Sequence, residues 1–135
     1  MKVVDSISTL RHTVNAWRRN GESVGFVPTM GNLHDGHLKL VKKAKAHNDN
    51  VVVSIFVNPL QFSENEDFEK YPRDLKRDAK LASDSGADAI WAPTVSEVFP
   101  GGEDYHFKIQ TFGSIVKYIV HAIVILYWNS RNLAS

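Results

Sequence analysis

The fold of this chain is decided by residues 23–37, which read SVGFVPTMGNLHDGH. Ser23 to Val27 is short, apolar and partly β-branched, as is typical of a buried strand, and Pro28 is expected to end it because proline cannot donate to a sheet ladder. A loop with two glycines follows, and a helix is expected to begin between His34 and His37. The stretch therefore predicts a strand, a loop and a helix in direct succession.

Further elements lie on either side of this stretch. Apolar residues at helical spacing predict an amphipathic helix from Ser6 to Arg19, with Ser6 as its cap and Gly21 as its stop. The helix that begins near His37 is expected to end between His47 and Asn50. Val51 to Val57 is a near-continuous apolar run, which is the pattern of a strand covered on both faces.

The C-terminal half contains one more predicted helix and two more predicted strands. A polar and acidic segment, Ser63 to Asp67, is a candidate mobile loop, and the helix after it carries apolar residues from Leu75 to Ala82 and ends at Gly86. Ala87 to Ala92 then predicts a strand, with a further strand expected from Tyr105 to Thr111. Alternating strands and helices at short intervals predict an α/β fold, a Rossmann-like doubly wound parallel sheet.

Composition narrows the class of function. A chain of 135 residues is enough for one domain, and a formal net charge of +1 does not indicate nucleic acid as a partner. The absence of cysteine excludes disulfides, thiolate metal sites and cysteine nucleophiles. The N-terminus has no signal-peptide core, and the apolar stretch from Ile115 to Trp128 is shorter than the roughly 20 residues that a membrane span needs. We expect no membrane partner, a cytoplasmic location and a small-molecule ligand.

The loop between the first predicted strand and its helix is the first candidate site. Gly31 and Gly36 would let the backbone approach a ligand, and the amides and dipole of the first helical turn would attract phosphate. His34 and His37 are three positions apart and would face the same side, where they can donate to a triphosphate. The alternative is that both are ordinary polar residues at a helix start. A metal pair is disfavoured because no third ligand stands at a convincing spacing.

A second loop, residues 58–62, follows the next strand and would lie beside the first. The amides of Asn58 and Gln61 suit hydroxyl and carboxylate groups, and Phe62 would supply an apolar wall. The alternative is an unremarkable strand exit.

Charged residues alternate in sign at the start of the third helix. The pattern of Arg73, Asp74, Arg77 and Asp78 favours a solvated helix face with salt-bridge spacing. We expect no function for it.

Three blocks of the sequence, residues 26–37, 52–62 and 71–73, together resemble the pantothenate synthetase (pantoate–beta-alanine ligase) family. The His-x-Gly-His motif alone would indicate only the wider nucleotidyltransferase superfamily. The resemblance runs to about Gly113, which implies a Rossmann-like, nucleotidyltransferase-type domain at residues 1–113 and a divergent tail at 114–135. The family's later motifs and C-terminal domain do not follow, so the fold is expected to be incomplete relative to the family.

The resemblance also implies an activity, the ATP-dependent condensation of pantoate with beta-alanine through a pantoyl adenylate, with release of pyrophosphate and AMP. ATP is a substrate accompanied by Mg²⁺, no residue is a metal ligand, and the family is homodimeric. His37 and His34 are the implied catalytic residues. The implied ATP-binding loop comprises Met30, Gly31, Asn32, Leu33, His34, Asp35, Gly36 and His37. Pantoate is assigned to Pro28, Met30, Gln61 and Phe62, and beta-alanine to Gln61 and Asn58.

Two other functions stay open. A truncated, catalytically incomplete chain would retain at most weak ATP or pantoate binding, or have no function. A different small adenylyltransferase that uses the same loop would suit the length, but it would not account for residues 58–62.

Overall fold

Four parallel strands and four helices alternate along the residues that the computed structural model describes, which are 1–59, 62 and 65–98. These residues fall within one compact unit, Met1–Val98. The elements are β1 (Lys2–Val4), α1 (Ile7–Arg19), β2 (Val24–Thr29), α2 (Asp35–His47), β3 (Asn50–Ile55), α3 (Leu75–Asp84), β4 (Ala89–Trp91) and the short α4 (Val95–Val98), with a 3-10 turn at Phe68–Lys70 before α3.

The strand order is β1-β4-β3-β2, and every neighbouring pair is parallel. Val24 pairs with Asn50 at the start of β2, and Val52 pairs with Ala89. Because all carboxyl ends point the same way, the loops after β2, β3 and β4 share one edge of the sheet. The predicted α/β fold with a parallel sheet is confirmed.

Helices cover both faces of the sheet. On one face, α2 and α3 bury Val41, Ala44 and Ala82 against Val51, Val53 and Ile90. On the other face, Leu10 of α1 packs in a second cluster with Val4, Val52 and Ala89. The run Val51–Val53 is almost fully buried, as expected for a strand with helices on both sides.

Strand β2 extends beyond the predicted end at Pro28, so that expectation is wrong. In the parallel register Pro28 pairs with Ser54, and the carbonyl of Thr29 accepts from the amide of Phe56. Successive residues of a parallel strand direct their backbone N–H and C=O groups to opposite sides of the strand. Since the carbonyl of Thr29 points to β3, the nitrogen of Pro28 points away from it. Since β2 is an edge strand of the described sheet, the missing N–H costs no ladder bond.

Two other details depart from the sequence-based predictions. Strand β1 was not predicted, because three residues are too few to show a pattern, yet they pair with Ala89–Trp91. Strands β3 and β4 both end earlier than predicted, which frees Phe56, Val57 and Ala92 for the loop edge.

Helix α1 agrees closely with its prediction. The hydroxyl of Ser6 accepts from the amide of Thr9 at 3.2 Å. Gly21 follows the helix with φ of 75°, a conformation that favours glycine.

Several predictions lie outside the described residues. These are the strand at 105–111, the apolar stretch at 115–128, the domain boundary at 113/114, residues 63 and 64 of the acidic loop, and Gln61. Among the described residues, no helix is long and apolar enough to cross a membrane.

Candidate functional site

The carboxyl ends of β2, β3 and β4 border one cavity of about 490 Å³. Met30 and Gly31 line it after β2, Phe56 and Val57 after β3, and Pro93 and Thr94 after β4. The amino end of α3 closes another side with Asp74, Leu75 and Asp78. The volume lies in the range of small-molecule sites, which are roughly 300–1,000 Å³.

The turn that leaves β2 has an unusual backbone. Gly31 and Asn32 both have positive φ, at 81° and 52°. The hydroxyl of Thr29 accepts from the amide of Gly31 at 3.1 Å and donates to the carbonyl of Ser54 at 2.9 Å, which ties the turn to β3. A Cβ at Gly31 would stand 3.1 Å from Ile55 and 3.2 Å from the carboxylate of Asp78, so a side chain at this position would be strained by the positive φ and would crowd both neighbours.

The carboxylate of Asp78 holds the next two residues of this turn. One oxygen accepts from the amide of Asn32 and the other from the amide of Leu33, both at 2.9 Å. The guanidinium of Arg77 adds a bond to Asp78 at 3.2 Å and one to the carbonyl of Leu33 at 3.3 Å. The turn is therefore hydrogen-bonded to α3, more than forty residues away in sequence.

The expectation of a solvated helix face is wrong at Asp78, which is 1% exposed. It also misplaces Arg73 and Asp74, which precede the helix. Asp74 is the cap of α3, and Arg73 donates to the carbonyls of Phe68 and Tyr71 while its guanidinium lies 4.7 Å from the centre of the Phe68 ring. Asp78 is the residue near the site that sequence reasoning missed, because no local pattern shows its partners.

Leu33 and Asn32 take different positions in the loop. The side chain of Leu33 is fully buried in the core with Val41 and Ile90, whereas Asn32 is exposed. The amides of both residues are already bonded to Asp78.

The two histidines together cap helix α2. The Nδ1 atom of His34 accepts from the amide of Gly36 at 3.0 Å, and the Nδ1 atom of His37 accepts from the amide of His34 at 3.2 Å. Their ring centroids are 4.1 Å apart, so the expected shared side is confirmed. A neutral imidazole that accepts at Nδ1 carries its proton on Nε2, so each ring retains one donor on the edge opposite the cap.

Gly36 is part of the same arrangement. A Cβ at this position would lie 2.9 Å from Cε1 and 3.2 Å from Nδ1 of the His34 ring. Glycine therefore lets the His34 ring reach the backbone of the first turn.

The pKa of His37 lies below its usual value. Partial burial of the ring is the main cause, the charge of a protonated His34 also lowers it, and the carboxylate of Asp78 acts in the opposite direction. His37 is consequently neutral at neutral pH and able to donate from Nε2.

The second loop is described in part. Asn58 is buried, and Phe62 packs edge-on against Phe68 at 5.3 Å and Tyr71 at 5.6 Å between ring centroids. Since Phe68 lines the cavity, Phe62 supports its wall. Met30 lies in the cavity wall directly, while Pro28 lies two residues earlier, in β2.

The sequence profile described as Pantoate-beta-alanine ligase matches residues 2–123. The chain belongs to this ligase family. It is 73% identical over 114 residues to the pantothenate synthetase of Alteromonas mediterranea, which covers 84% of this chain and 40% of that protein. A relative from Hydrogenovibrio crunogenus is 53% identical over 103 residues, covering 76% of this chain and 36% of its own length. The resemblance that the three sequence blocks carry is thereby confirmed.

Solved structures of the ligase family agree with the fold. Pantothenate synthetase from Thermus thermophilus matches with a TM-score of 0.67 and 51% identity, over 76% of this chain and 35% of that one. Pantoate-beta-alanine ligase from Francisella tularensis, complexed with beta-gamma ATP and beta-alanine, matches with a TM-score of 0.68 and 40% identity, over 76% and 39% of the two chains. The present chain thus spans about 35–40% of the length of these relatives.

Proposed function

We propose that this chain binds ATP at the amino end of α2 and carries out the adenylylation chemistry of a pantoate–beta-alanine ligase. In the first step a carboxylate oxygen of pantoate bonds to the α-phosphorus of ATP, and the bond to the leaving pyrophosphate breaks. In the second step the amine of beta-alanine bonds to the acyl carbon, AMP leaves, and the amine nitrogen loses a proton. Neither step needs a covalent bond to the protein.

The observation that carries this proposal is the paired cap of His34 and His37. Both Nδ1 atoms are bonded to backbone amides, which fixes the rings and leaves each Nε2–H as a donor at a helix N-terminus. Two such donors at the positive end of a helix dipole suit the charge that develops on the β- and γ-phosphates as pyrophosphate leaves. Removing one preorganised donor of this kind costs about 2.7–4 kcal/mol in other enzymes.

The cavity at the carboxyl ends of β2, β3 and β4 suits the second and third substrates, although neither His34 nor His37 is among its lining residues. As the family motif implies, we assign pantoate to Pro28, Met30, Gln61 and Phe62, and beta-alanine to Gln61 and Asn58. The apolar wall formed by Met30, Phe56 and Val57 supports the assignment, because the body of pantoate is a branched hydrocarbon. The remaining members of the motif, Gly31, Asn32, Leu33, Asp35 and Gly36, shape the ATP loop.

Mg²⁺ enters the proposal as part of the nucleotide substrate. Among the described residues there is no group of three or more histidine, aspartate or glutamate side chains that could hold a metal ion. Mg²⁺ is commonly bound through substrate phosphates and water, so no step is assigned to a protein-bound ion. A cytoplasmic homodimer completes the proposal, and sedimentation analysis of the purified chain tests the dimer.

Nucleotide binding without turnover is the second candidate, because two oriented imidazole donors at a helix N-terminus are sufficient for binding a phosphate group by themselves. Pantoate-dependent exchange of labelled pyrophosphate into ATP separates the two, with ATP binding measured by calorimetry on the same samples. Exchange that disappears in His37→Ala but persists in His12→Ala, a variant on α1, supports the ligase reaction. Background exchange together with ATP binding rejects turnover and supports the second candidate. Absence of both in folded protein rejects both.

A further inference from the structure

Asp78 is a charged side chain that the adenylylation chemistry does not use, yet it is 1% exposed. A buried carboxylate is costly unless its oxygens are bonded, and both oxygens here accept from backbone amides at 2.9 Å. The additional bond from Arg77 at 3.2 Å is the shortest described contact between Asp78 and a positive side chain. A group bonded in this way determines where its partners lie.

The partners of Asp78 belong to a turn that needs an external constraint. Consecutive positive φ angles at Gly31 and Asn32 are uncommon, and outside glycine such a conformation persists where the surroundings enforce it. Successive amides in a turn of this kind form a concave anion site. In this protein the anion is the carboxylate of Asp78.

The turn is followed immediately by the paired histidine cap. The amide of Leu33 bonds to Asp78, and the amide of His34, the next residue, bonds to Nδ1 of His37. A shift of the turn would therefore shift the residue whose amide orients the His37 ring. Asp78 also acts electrostatically on His37, where its charge raises the pKa against the lowering effect of burial.

We propose that Asp78 is a positioning residue for the nucleotide loop. Its carboxylate, supported by Arg77, fixes the turn at residues 31–33 and thereby sets the geometry in which His34 and His37 meet the phosphates. The inference rests on the proposed ATP site for its functional consequence, whereas its structural part can be tested without any nucleotide.

The decisive variant is Asp78→Asn in the full 135-residue chain, with Asp84→Asn as the matched control. Asp84 is on the same helix, but it is exposed and bonds to Lys80 at 3.0 Å. Amide hydrogen exchange is measured by NMR for residues 31–38 and for the core strands. ATP affinity is measured by calorimetry on the same samples.

In Asp78→Asn we expect exchange at Asn32 and Leu33 to become about tenfold faster, because one acceptor is replaced by a donor. The core strands keep their protection, and ATP affinity falls by about tenfold. Asp84→Asn changes neither quantity. If Asp78→Asn does not fold, Arg77→Ala tests the same link between α3 and the turn. Because the side chain of Arg77 is half exposed, we expect smaller changes in exchange and ATP affinity, in the same direction.

Unchanged exchange at Asn32 and Leu33 overturns the inference, and so does faster exchange spread evenly over β3 and β4. Faster local exchange with unaltered ATP affinity also overturns it. If the unmodified chain binds no ATP, the proposed function fails, and local exchange alone then decides whether Asp78 fixes the turn.

Discussion

Replacing Gly36 with alanine separates the stability of helix α2 from the orientation of His34. Gly36 lies in the first turn of α2, and its φ is outside the left-handed region, so alanine is compatible with the backbone. The added Cβ would lie 2.9 Å from Cε1 of His34, which is closer than such atoms approach. The ring has to move, and the bond from the Gly36 amide to Nδ1 is lost.

The expected effects on stability nearly cancel. Alanine is favoured over glycine in a helix by roughly 0.5–1 kcal/mol. Loss of a side-chain cap costs about 0.5–2 kcal/mol. The free energy of unfolding should therefore change by no more than about 1.5 kcal/mol. ATP affinity should fall by about tenfold to a hundredfold, because a hydrogen bond to a charged group contributes about 1.5–3 kcal/mol and the Nε2 donor of His34 is displaced.

The assay combines urea unfolding with calorimetric titration of ATP, in the native chain and in a His34→Ala background. Without the imidazole the Cβ of residue 36 meets no ring, so Gly36→Ala should raise stability by about 0.5–1 kcal/mol and leave ATP affinity unchanged there. Equal losses of ATP affinity in the two backgrounds would refute the reasoning, as would full ATP affinity in Gly36→Ala alone.

Two further predictions concern pH and the core. Because the folded-state pKa of His37 is lowered, chiefly by burial, the unfolded chain takes up this proton first, near its ordinary pKa of about 6.5. The stability linked to neutral His37 is thus fully present above that pH and is lost as the pH falls through the folded-state pKa. Urea midpoints measured between about pH 8 and 5 should therefore decline less in His37→Gln than in the native chain. Equal declines in the two proteins would contradict this prediction. Ile90→Ala, at a fully buried position of β4, should cost about 2–5 kcal/mol, seen as a lower urea midpoint with an unchanged slope, and a loss under about 1 kcal/mol would contradict the packing.

Much of the fold was predictable because its signals are local. The helix from Ile7 to Arg19 shows its apolar spacing and its cap within one short stretch, and Val51 to Val53 shows the continuous apolar run of a strand covered twice. The wrong or missing predictions concern residues whose structure depends on a strand that is distant in sequence. Lys2–Val4 is a strand because it pairs with β4, and Pro28 stays in β2 because it faces the open edge of the described sheet.

The candidate site divides in the same way. Helical spacing predicts that His34 and His37 share a side, and their rings do lie together, although His34 is the extended N-cap of α2 and precedes its first helical residue. The role of Asp78 depends on amides at residues 32 and 33, which no periodicity along α3 can indicate. The alternating charges correctly predict that Arg77 is exposed. They give no sign that the carboxylate of Asp78, one position later, is buried against the loop.

A carboxylate beside a proposed phosphate site opposes anion binding through its charge, and its hydrogen bonds reduce that opposition. Two backbone amides and Arg77 donate to Asp78 and offset part of its charge, although the carboxylate still acts on His37. The same bonds take up the amides of Asn32 and Leu33, so the proposed ATP site relies for phosphate recognition on the amino end of α2 and its two imidazoles. In this proposal a chain of net charge +1 binds a polyanion through the helix dipole and oriented donors at one helix end, without a basic surface.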